Sequence, residues 1–420
     1  MEIRGYSASA ASADGATSED SVLNDEAGRL FIVADGMGGA TAGNIASQAA
    51  IELVKSFLED HRADIAAFEA GNNTRQDMLN LLEQAVQQAS QAVFTMAQSN
   101  AQQRGMGTTL SLLLLTKKRG FIAHVGNSRI YILRQSEVIQ LTEDHSLSAE
   151  LVRQGRMTAS QVAVAQKTDS VTRALGVYAH VQVDTFDFEL AAGDSFLLAT
   201  RGIWASVNST QEISDLVEAK GYEHAPAAFI NLRNARNHSE DATALLVRVI
   251  ASRGEMDAPH SDDLSLKLKL LKQIPLFKHL SYVQLVAVLN VSEVRAYPAG
   301  THIFQEGQMG EELYVVLDGK VGIEKNGTEL AKLGAGALFG EMAIMDKAPR
   351  SALAVATEDT RLIEVGRNRL FALMRQEKDI AVKLLWCFVQ VLNQRLRTTN
   401  LDLMKLRESN QAELTAFEES

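Results

Sequence analysis

The sequence predicts an α+β protein in two parts, a sandwich of sheets and helices followed by a smaller strand-rich part closed by a long helix. Three observations carry this. At 420 residues the chain is too long for one ordinary core, so two domains are the default expectation. Its first 250 residues alternate short apolar runs with helical spacing, the pattern of helices packed on sheets. The segment "ASRGEMDAPHSDD", 251–263, then mixes Gly, Pro, Ser and charge without periodicity. Proline usage also changes there: Pro226 precedes residue 250, whereas Pro259, Pro275, Pro298 and Pro349 follow it. The division is therefore a first domain at 1–250, a linker at 251–263, a second domain at 264–408 and a tail at 409–420.

In the first domain "GRLFIVAD", "TTLSLLLLTKK", "GFIAHVGN", "RIYILRQ", "DSFLLAT" and "ATALLVRVI" are aliphatic or β-branched runs closed by Gly, Asn, Asp or Lys, and read as strands. Residues 43–60 and 75–100 carry Ala, Leu and Gln at helical spacing. The second domain opens with a short helix at 264–273 and continues in strands from about 300 to 365, with "KNGT" at 325–328 as a hairpin signal. A long helix near 378–406 closes it. Its Ala381, Leu384, Leu385, Phe388, Val391, Leu392 and Leu396 form one expected stripe. That stripe reads as packed core, and its distal part is free to join a homodimer.

Composition narrows the function. A net charge of −11 gives no basic footprint for nucleic acid. The single cysteine, Cys387, rules out a disulfide framework or Cys-ligated zinc and fits a reducing compartment. The start "MEIRGYSASA" has no signal-peptide core, and the aliphatic run around Leu110–Leu115 is far too short to span a bilayer. A cytoplasmic protein without a membrane partner is expected.

Two strand-like runs end alike. "FIVADGMGGATAG", 31–43, stops at Asp35 before a glycine-rich turn, and "FLLATRGIWASV", 196–207, stops at Arg201 before Gly202. With "GMGTTL" (105–110), "HVGNSRIYIL" (124–133), "LTEDHSL" (141–147), "TRALG" (172–176) and "SEDATALLV" (239–247) they form an ordered set. Over roughly residues 5–250 that set resembles the metal-dependent serine/threonine protein phosphatases of type 2C. The resemblance implies an α-β-β-α sandwich and a site for two hard cations, Mn²⁺ or Mg²⁺, held by oxygen ligands at strand ends. It implies that Asp35 bridges the cations, that the Gly36 carbonyl adds a ligand, and that Glu19 and Asp20 hold metal-bound water. Acids at the positions of Arg201 and Glu240 would complete the second cation's site.

This chain departs from that pattern. Arg201 replaces an aspartate, Glu240 a shorter aspartate, and Asn127 the acid of "GDSR"; Gly15 stands where a phosphate-binding arginine is expected. In an ungapped register Arg201 sits beside Asp35 and Glu240, offering fixed positive charge where a cation would have been. Two readings stay open: a phosphatase of reduced metal occupancy, in which Arg201 grips the substrate phosphate, and a pseudophosphatase scaffold.

The sharpest string is "FGEMAIMDKAPRSA", 339–352. Preceded by "YPAGTHIFQEGQMGEELYVVLDGKVGI" (297–323), it resembles the phosphate cassette of cyclic-nucleotide-binding domains, as in the catabolite activator protein and kinase regulatory subunits. The resemblance covers about 270–400 and implies a β-roll (jelly roll) with flanking helices. In it Arg350 offers a forked donor to the cyclic phosphate. Backbone N–H groups from Gly340 through Glu341 and Met342 to Ala343 add to the anion cradle. Glu341 accepts from the ribose 2′-hydroxyl, and Ser351 and Ala352 complete the phosphate contacts. Cyclic AMP and cyclic GMP both fit, cyclic AMP favoured by family frequency. No kinase loop or P-loop string accompanies these motifs, so the effector is the first domain. Cyclic nucleotide and a phosphoprotein substrate or partner are the expected ligands of such a signalling protein.

Overall fold

The computed structural model describes residues 2–12, 17–39, 41–134, 137–153, 156–157, 161, 170–250, 267, 270–280, 282–341, 348–378, 380–390, 392–393 and 397. The proposed linker and tail, Gly15, Met342, Ala343, Val391 and Leu396 lie outside the described residues. The chain forms two compact units, Met1–Ala258 and Pro259–Ser420.

In the first unit eleven strands are described: β1 (Glu2–Ala10), β2 (Asp20–Asp25), β3 (Leu30–Met37), β4 (Gly107–Thr108), β5 (Leu110–Leu115), β6 (Arg119–Val125), β7 (Arg129–Arg134), β8 (Glu137–Gln140), β9 (Asp184–Glu189), β10 (Ser195–Ala199) and β11 (Ala242–Ile250). They form two antiparallel sheets, ordered β1-β11-β10-β7-β8 and β2-β3-β5-β6-β9, with β4 paired to β3. Strand β3 is buried on both faces along most of its length. Ile32 and Ala34 of β3 join the core under helices α1 (Ala42–Asp60) and α3 (Arg75–Ser99); α2 (Arg62–Glu69) lies between those two in the chain. Phe31 and Val33 of the same strand are equally buried but stand outside that cluster, on the face toward the other sheet. There the Phe188 and Phe196 rings meet with centroids 5.5 Å apart. Strand β8 is followed in the chain by α4 (Leu147–Arg153) and β10 by α5 (Arg201–Trp204). The other sheet is covered by α6 (Thr210–Lys220) and α7 (Ala225–Ala235), whose Ile213, Val217 and Phe229 pack on Leu197 and Leu246. The result is the four-layer α-β-β-α sandwich.

The second unit contains two four-stranded sheets. The first is ordered β12 (Ser292–Tyr297), β19 (Thr360–Gly366), β14 (Glu312–Asp318) and β17 (Leu338–Phe339). The second is ordered β13 (His302–Phe304), β18 (Leu353–Ala356), β15 (Val321–Lys325) and β16 (Thr328–Leu333). Between β15 and β16, Asn326 and Gly327 have φ of 49° and 76°, the pair of left-handed residues a two-residue hairpin needs. Phe304, Tyr314 and Phe339 fill the centre of the roll, with Val316, Val321 and Leu362 around them. Helices α8 (Tyr282–Asn290) and α9 (Arg367–Gln376) flank it, and helical residues follow from 380 to 390.

The expected stripe on this last helix needs correction. Ile380, Leu384, Cys387 and Phe388 are buried, but Leu385 and Leu392 are each 50% exposed. Residue 385 follows buried 384 by one position, a turn of about 100° that carries it off the packed face. Leu385 and Leu392 share the outer surface with exposed Val382, Trp386 and Val389, so the helix is apolar on two faces. Among the described residues no helix is long and apolar enough to cross a membrane.

Candidate active site and anion pocket

Strand pairing sets the first site. The β2–β3 register places Asp20 directly opposite Asp35. Strand β3 ends in the turn to α1, and the packing there is tight: a Cβ on Gly36 would lie 2.1 Å from the Gly43 carbonyl oxygen. Only glycine fits, so the backbone at 36 can come against the loop carrying Glu19, whose carbonyl accepts from the Gly36 N–H at 3.1 Å. Asp20 accepts from the Thr200 hydroxyl through Oδ2 at 2.7 Å, while among the described residues its buried Oδ1 has no hydrogen-bond partner.

These carboxylates are unwelcome as anions. Burial, partly offset by the Thr200 and Thr243 hydroxyls, pushes Asp20 up to about 7. Burial and the charges of Asp20, Glu240 and Asp241 hold Asp35 well above its ordinary range, with Arg201 opposing them. Burial and Asp241 also raise Glu19. A cluster of this kind calls for a cation.

One is built in. Arg201 opens α5 at the end of β10, and its guanidinium donates to the Glu240 carboxylate in a short charge-assisted bond. Glu240 therefore faces Arg201, not an open coordination position. Among the described residues, no three His, Cys, Asp or Glu side chains converge in the geometry of a metal site. The fit to hard cations is thus divided. Asp20, with its orphaned Oδ1, and Asp35 provide oxygen donors suited to one divalent ion. On the Glu240 side the carboxylate is engaged by the Arg201 guanidinium.

Asp241 escaped the sequence reading. Its two oxygens accept the backbone N–H groups of Ser12 at 2.5 Å and Glu19 at 2.6 Å, fastening the strand ends that deliver Asp20. The signal was present as two consecutive acids just before β11. Glu240 pairs with Arg201, while Asp241 turns to the crossing chain at Ser12 and Glu19. Arg233 anchors the same corner by donating to the Glu240 carbonyl. Asn127 is buried; its carbonyl accepts from the Trp204 indole at 2.9 Å, and the Trp204 face lies 3.6 Å from the Arg129 guanidinium, which is fixed in turn by Asp144.

Behind the cleft, His124 Nε2–H donates to the Glu143 carbonyl at 3.1 Å and Nδ1 meets the Ser111 hydroxyl at 2.9 Å. Burial, with His145 adjacent, lowers His124 from its ordinary 6.5 to about 3. The folded state keeps it neutral, whereas the unfolded chain takes up a proton below 6.5. Its burial therefore costs nothing above pH 6.5, and stability is lost as pH falls from 6.5 toward 3, by about 1.4 kcal/mol per pH unit. We predict that His124→Gln flattens the decline in melting temperature between pH 6.5 and 5; a slope equal to wild type would refute this.

In the second unit, Arg350 lies beneath the rings of Phe304 and Tyr314, 4.2 and 5.5 Å from their centroids. Its Nη1 donates to the Gly340 carbonyl at 3.1 Å and its Nη2 pairs with Glu312 Oε2 at 3.3 Å. Buried Nε has no hydrogen-bond partner among the described residues. Gly340, at φ 74°, could not carry a side chain: its Cβ would stand 2.8 Å from Nη1. Glu341 and Ala352 are buried, and Ser351 is exposed. A cavity of about 350 Å³, lined by Gln308, Met309, Gly310, Glu311 and Glu312, adjoins this arginine. The pocket thus presents a fixed, largely desolvated guanidinium with donor capacity to spare.

The comparisons agree with both halves. A family model for Protein phosphatase 2C matches residues 7–240, and one for the cyclic nucleotide-binding domain matches 294–377. The serine/threonine phosphatase stp of Listeria welshimeri is 33% identical over 219 residues, 52% of this chain and 83% of that protein. Protein phosphatase PhpP of Streptococcus pneumoniae is 36% identical over 194 residues, 46% and 74% of the two chains. Among solved structures, the Mycobacterium tuberculosis serine/threonine phosphatase PstP/Ppp aligns with TM-score 0.53 and 26% identity over 60% of this chain and all of that one. The catalytic domain of PstP in complex with two manganese ions aligns with TM-score 0.50 and 28% identity, over 60% and 99%. With its sandwich, its strand-end acids and a matching family model over more than half its length, the chain belongs to the Protein phosphatase 2C family, and it carries a cyclic nucleotide-binding domain behind that sandwich.

Proposed function

We propose that this protein is a cyclic-nucleotide-responsive signalling protein whose phosphatase-like domain binds phosphoserine or phosphothreonine in partner proteins with strongly reduced turnover. The observation that carries the reading is the Arg201–Glu240 pair. A relative, the catalytic domain of PstP, is solved in complex with two manganese ions. Here a guanidinium supplies the second positive charge but cannot lower the pKa of a water or coordinate one. It can grip a phosphate oxygen, a role the absent arginine at position 15 leaves open. Asp35, Asp20, Glu19 and the Gly36 carbonyl would hold a single Mn²⁺ or Mg²⁺, which when bound polarises phosphoryl oxygens and water. This chain's own residues orient the phosphoester: Arg201 by charge, and Asp241 by holding the Glu19 backbone.

A second reading, a slow one-cation phosphatase, is favoured by Asp20 Oδ1, a buried oxygen with no hydrogen-bond partner among the described residues. Binding to a phosphothreonine peptide separates the two. We expect the wild-type chain to bind it in the presence of EDTA and to hydrolyse it barely faster than Asp35→Ala in Mn²⁺. Metal-dependent turnover well above Asp35→Ala would establish the one-cation enzyme instead. Loss of peptide binding in EDTA would refute the role given to Arg201.

Nucleotide control is proposed on the presence of both domains in one chain. Cyclic nucleotide would act through the flanking helices of the roll, provided that it binds two conformations of the chain with different affinity. The fall of both domains into separate compact units supports the division near residues 251–263.

A further inference from the structure

We propose that Glu312 is an internal counter-ion of the phosphate-site arginine, one that an incoming cyclic phosphate must displace, so that this carboxylate sets nucleotide affinity. The inference rests on the reading of the second domain as a nucleotide binder and adds to it a residue that opposes binding.

The geometry makes Arg350 fixed and Glu312 mobile by comparison. The arginine side chain is 3% exposed, lies beneath two aromatic rings, and is hemmed in by Gly310 and Gly340, where a Cβ would come within 2.5 and 2.8 Å of its nitrogens. Glu312 is 45% exposed and reaches Nη2 through one oxygen at 3.3 Å, longer than the 2.7–2.9 Å common in charge-assisted bonds. The same Oε2 accepts from the Glu311 N–H at 3.1 Å. A cyclic phosphate gripped side-on needs Nε and Nη2 together. Among the described residues Nε is buried without a hydrogen-bond partner, and Nη2 is the nitrogen Glu312 holds. Ligand and carboxylate therefore draw on the same nitrogen, and they repel each other as like charges on the rim of the same cavity.

The displaced carboxylate also leaves the Glu311 N–H. Glu311 is tied to the start of α9: its carbonyl accepts from the Arg367 N–H at 2.7 Å, and its side chain accepts from Asn368 at 3.3 Å. Anion binding at Arg350 is thereby linked through two adjacent glutamates to the helix that follows the roll.

The test is titration calorimetry of the full-length chain with cyclic AMP and, separately, cyclic GMP, for wild type, Glu312→Gln and Arg350→Ala. Glutamine keeps an oxygen for the Glu311 N–H and removes only the charge, and unchanged melting temperature confirms intact folding. We expect Glu312→Gln to bind roughly tenfold tighter, the order expected when a half-exposed opposing charge is removed beside an anion site. The gain should shrink at 0.5 M salt as the charges are screened. Equal or weaker binding by Glu312→Gln, with binding lost in Arg350→Ala, would overturn the displacement while leaving the nucleotide site standing. No binding of either nucleotide to wild type or Glu312→Gln would overturn both. Binding by Glu312→Gln alone would bear the proposal out in its strongest form.

Discussion

Arg201→Asp is expected to hydrolyse a phosphothreonine peptide in Mn²⁺ about 10²–10³ times faster than wild type, the range spanned by loss or gain of one electrostatic stabiliser of the transition state. The substitution turns the cation of the Glu240 side into a carboxylate. It frees Glu240 from its ion pair and leaves Asp35 facing Asp20, Glu240, Asp241 and the new acid without a compensating guanidinium. Without metal that cluster repels itself, so the variant should melt below wild type, and Mn²⁺ should raise its melting temperature more than that of wild type. Both readouts matter because folding and catalysis could fail separately. A variant that is stabilised by Mn²⁺ and still idle would mean that geometry, not charge, limits the site. A variant neither stabilised nor accelerated would sink the idea that Arg201 stands in for a metal.

The second large effect is expected at the nucleotide pocket. Arg350→Ala should weaken cyclic AMP binding by about 10²–10³-fold, since truncating one partner of a buried charge pair typically costs 2–5 kcal/mol. The more telling variant is Arg350→Lys. Lysine keeps the charge but loses the planar fork, the stacking under Phe304 and Tyr314, and the simultaneous reach to Gly340 and the ligand. We expect it to recover little of the lost affinity, an outcome calorimetry reads directly. Near-full recovery by lysine would show that the pocket senses charge alone and would discount the rings as a platform.

The parts of this molecule that the sequence declares are those where one residue type serves one physical need. Strands β3, β5, β6, β10 and β11 are buried along most of their length and read as mainly apolar runs. The Asn326–Gly327 turn was legible because few residues accept left-handed backbone. Asp35 and Arg201 stood out as charges at the ends of apolar runs just before a glycine, and Arg350 through the resemblance of its string to a phosphate cassette. Strand β1 was missed because "EIRGYSASA" is small and polar, and is held by pairing along β11 more than by its own preference. Helix α6 carried a readable start, Ser209 three residues before Glu212, and the Ser209 side chain does accept from the Glu212 N–H. Its polar composition concealed it from a search for apolar periodicity. The partners of Arg201 and Arg350 were less legible still. That Asp241 serves two backbone N–H groups, and that Glu312 leans on Arg350, depends on where separate loops cross, which spacing along the chain does not encode.

The Arg201–Glu240 pair has a consequence for supply. A phosphatase of the two-cation kind draws part of its charge balance from solution, and so depends on how much manganese or magnesium its surroundings provide. A guanidinium cannot be chelated, diluted away or deprotonated near neutrality. On the reading proposed above, this chain would carry half of that positive charge covalently, and its phosphate-binding face would stay formed when metal is scarce.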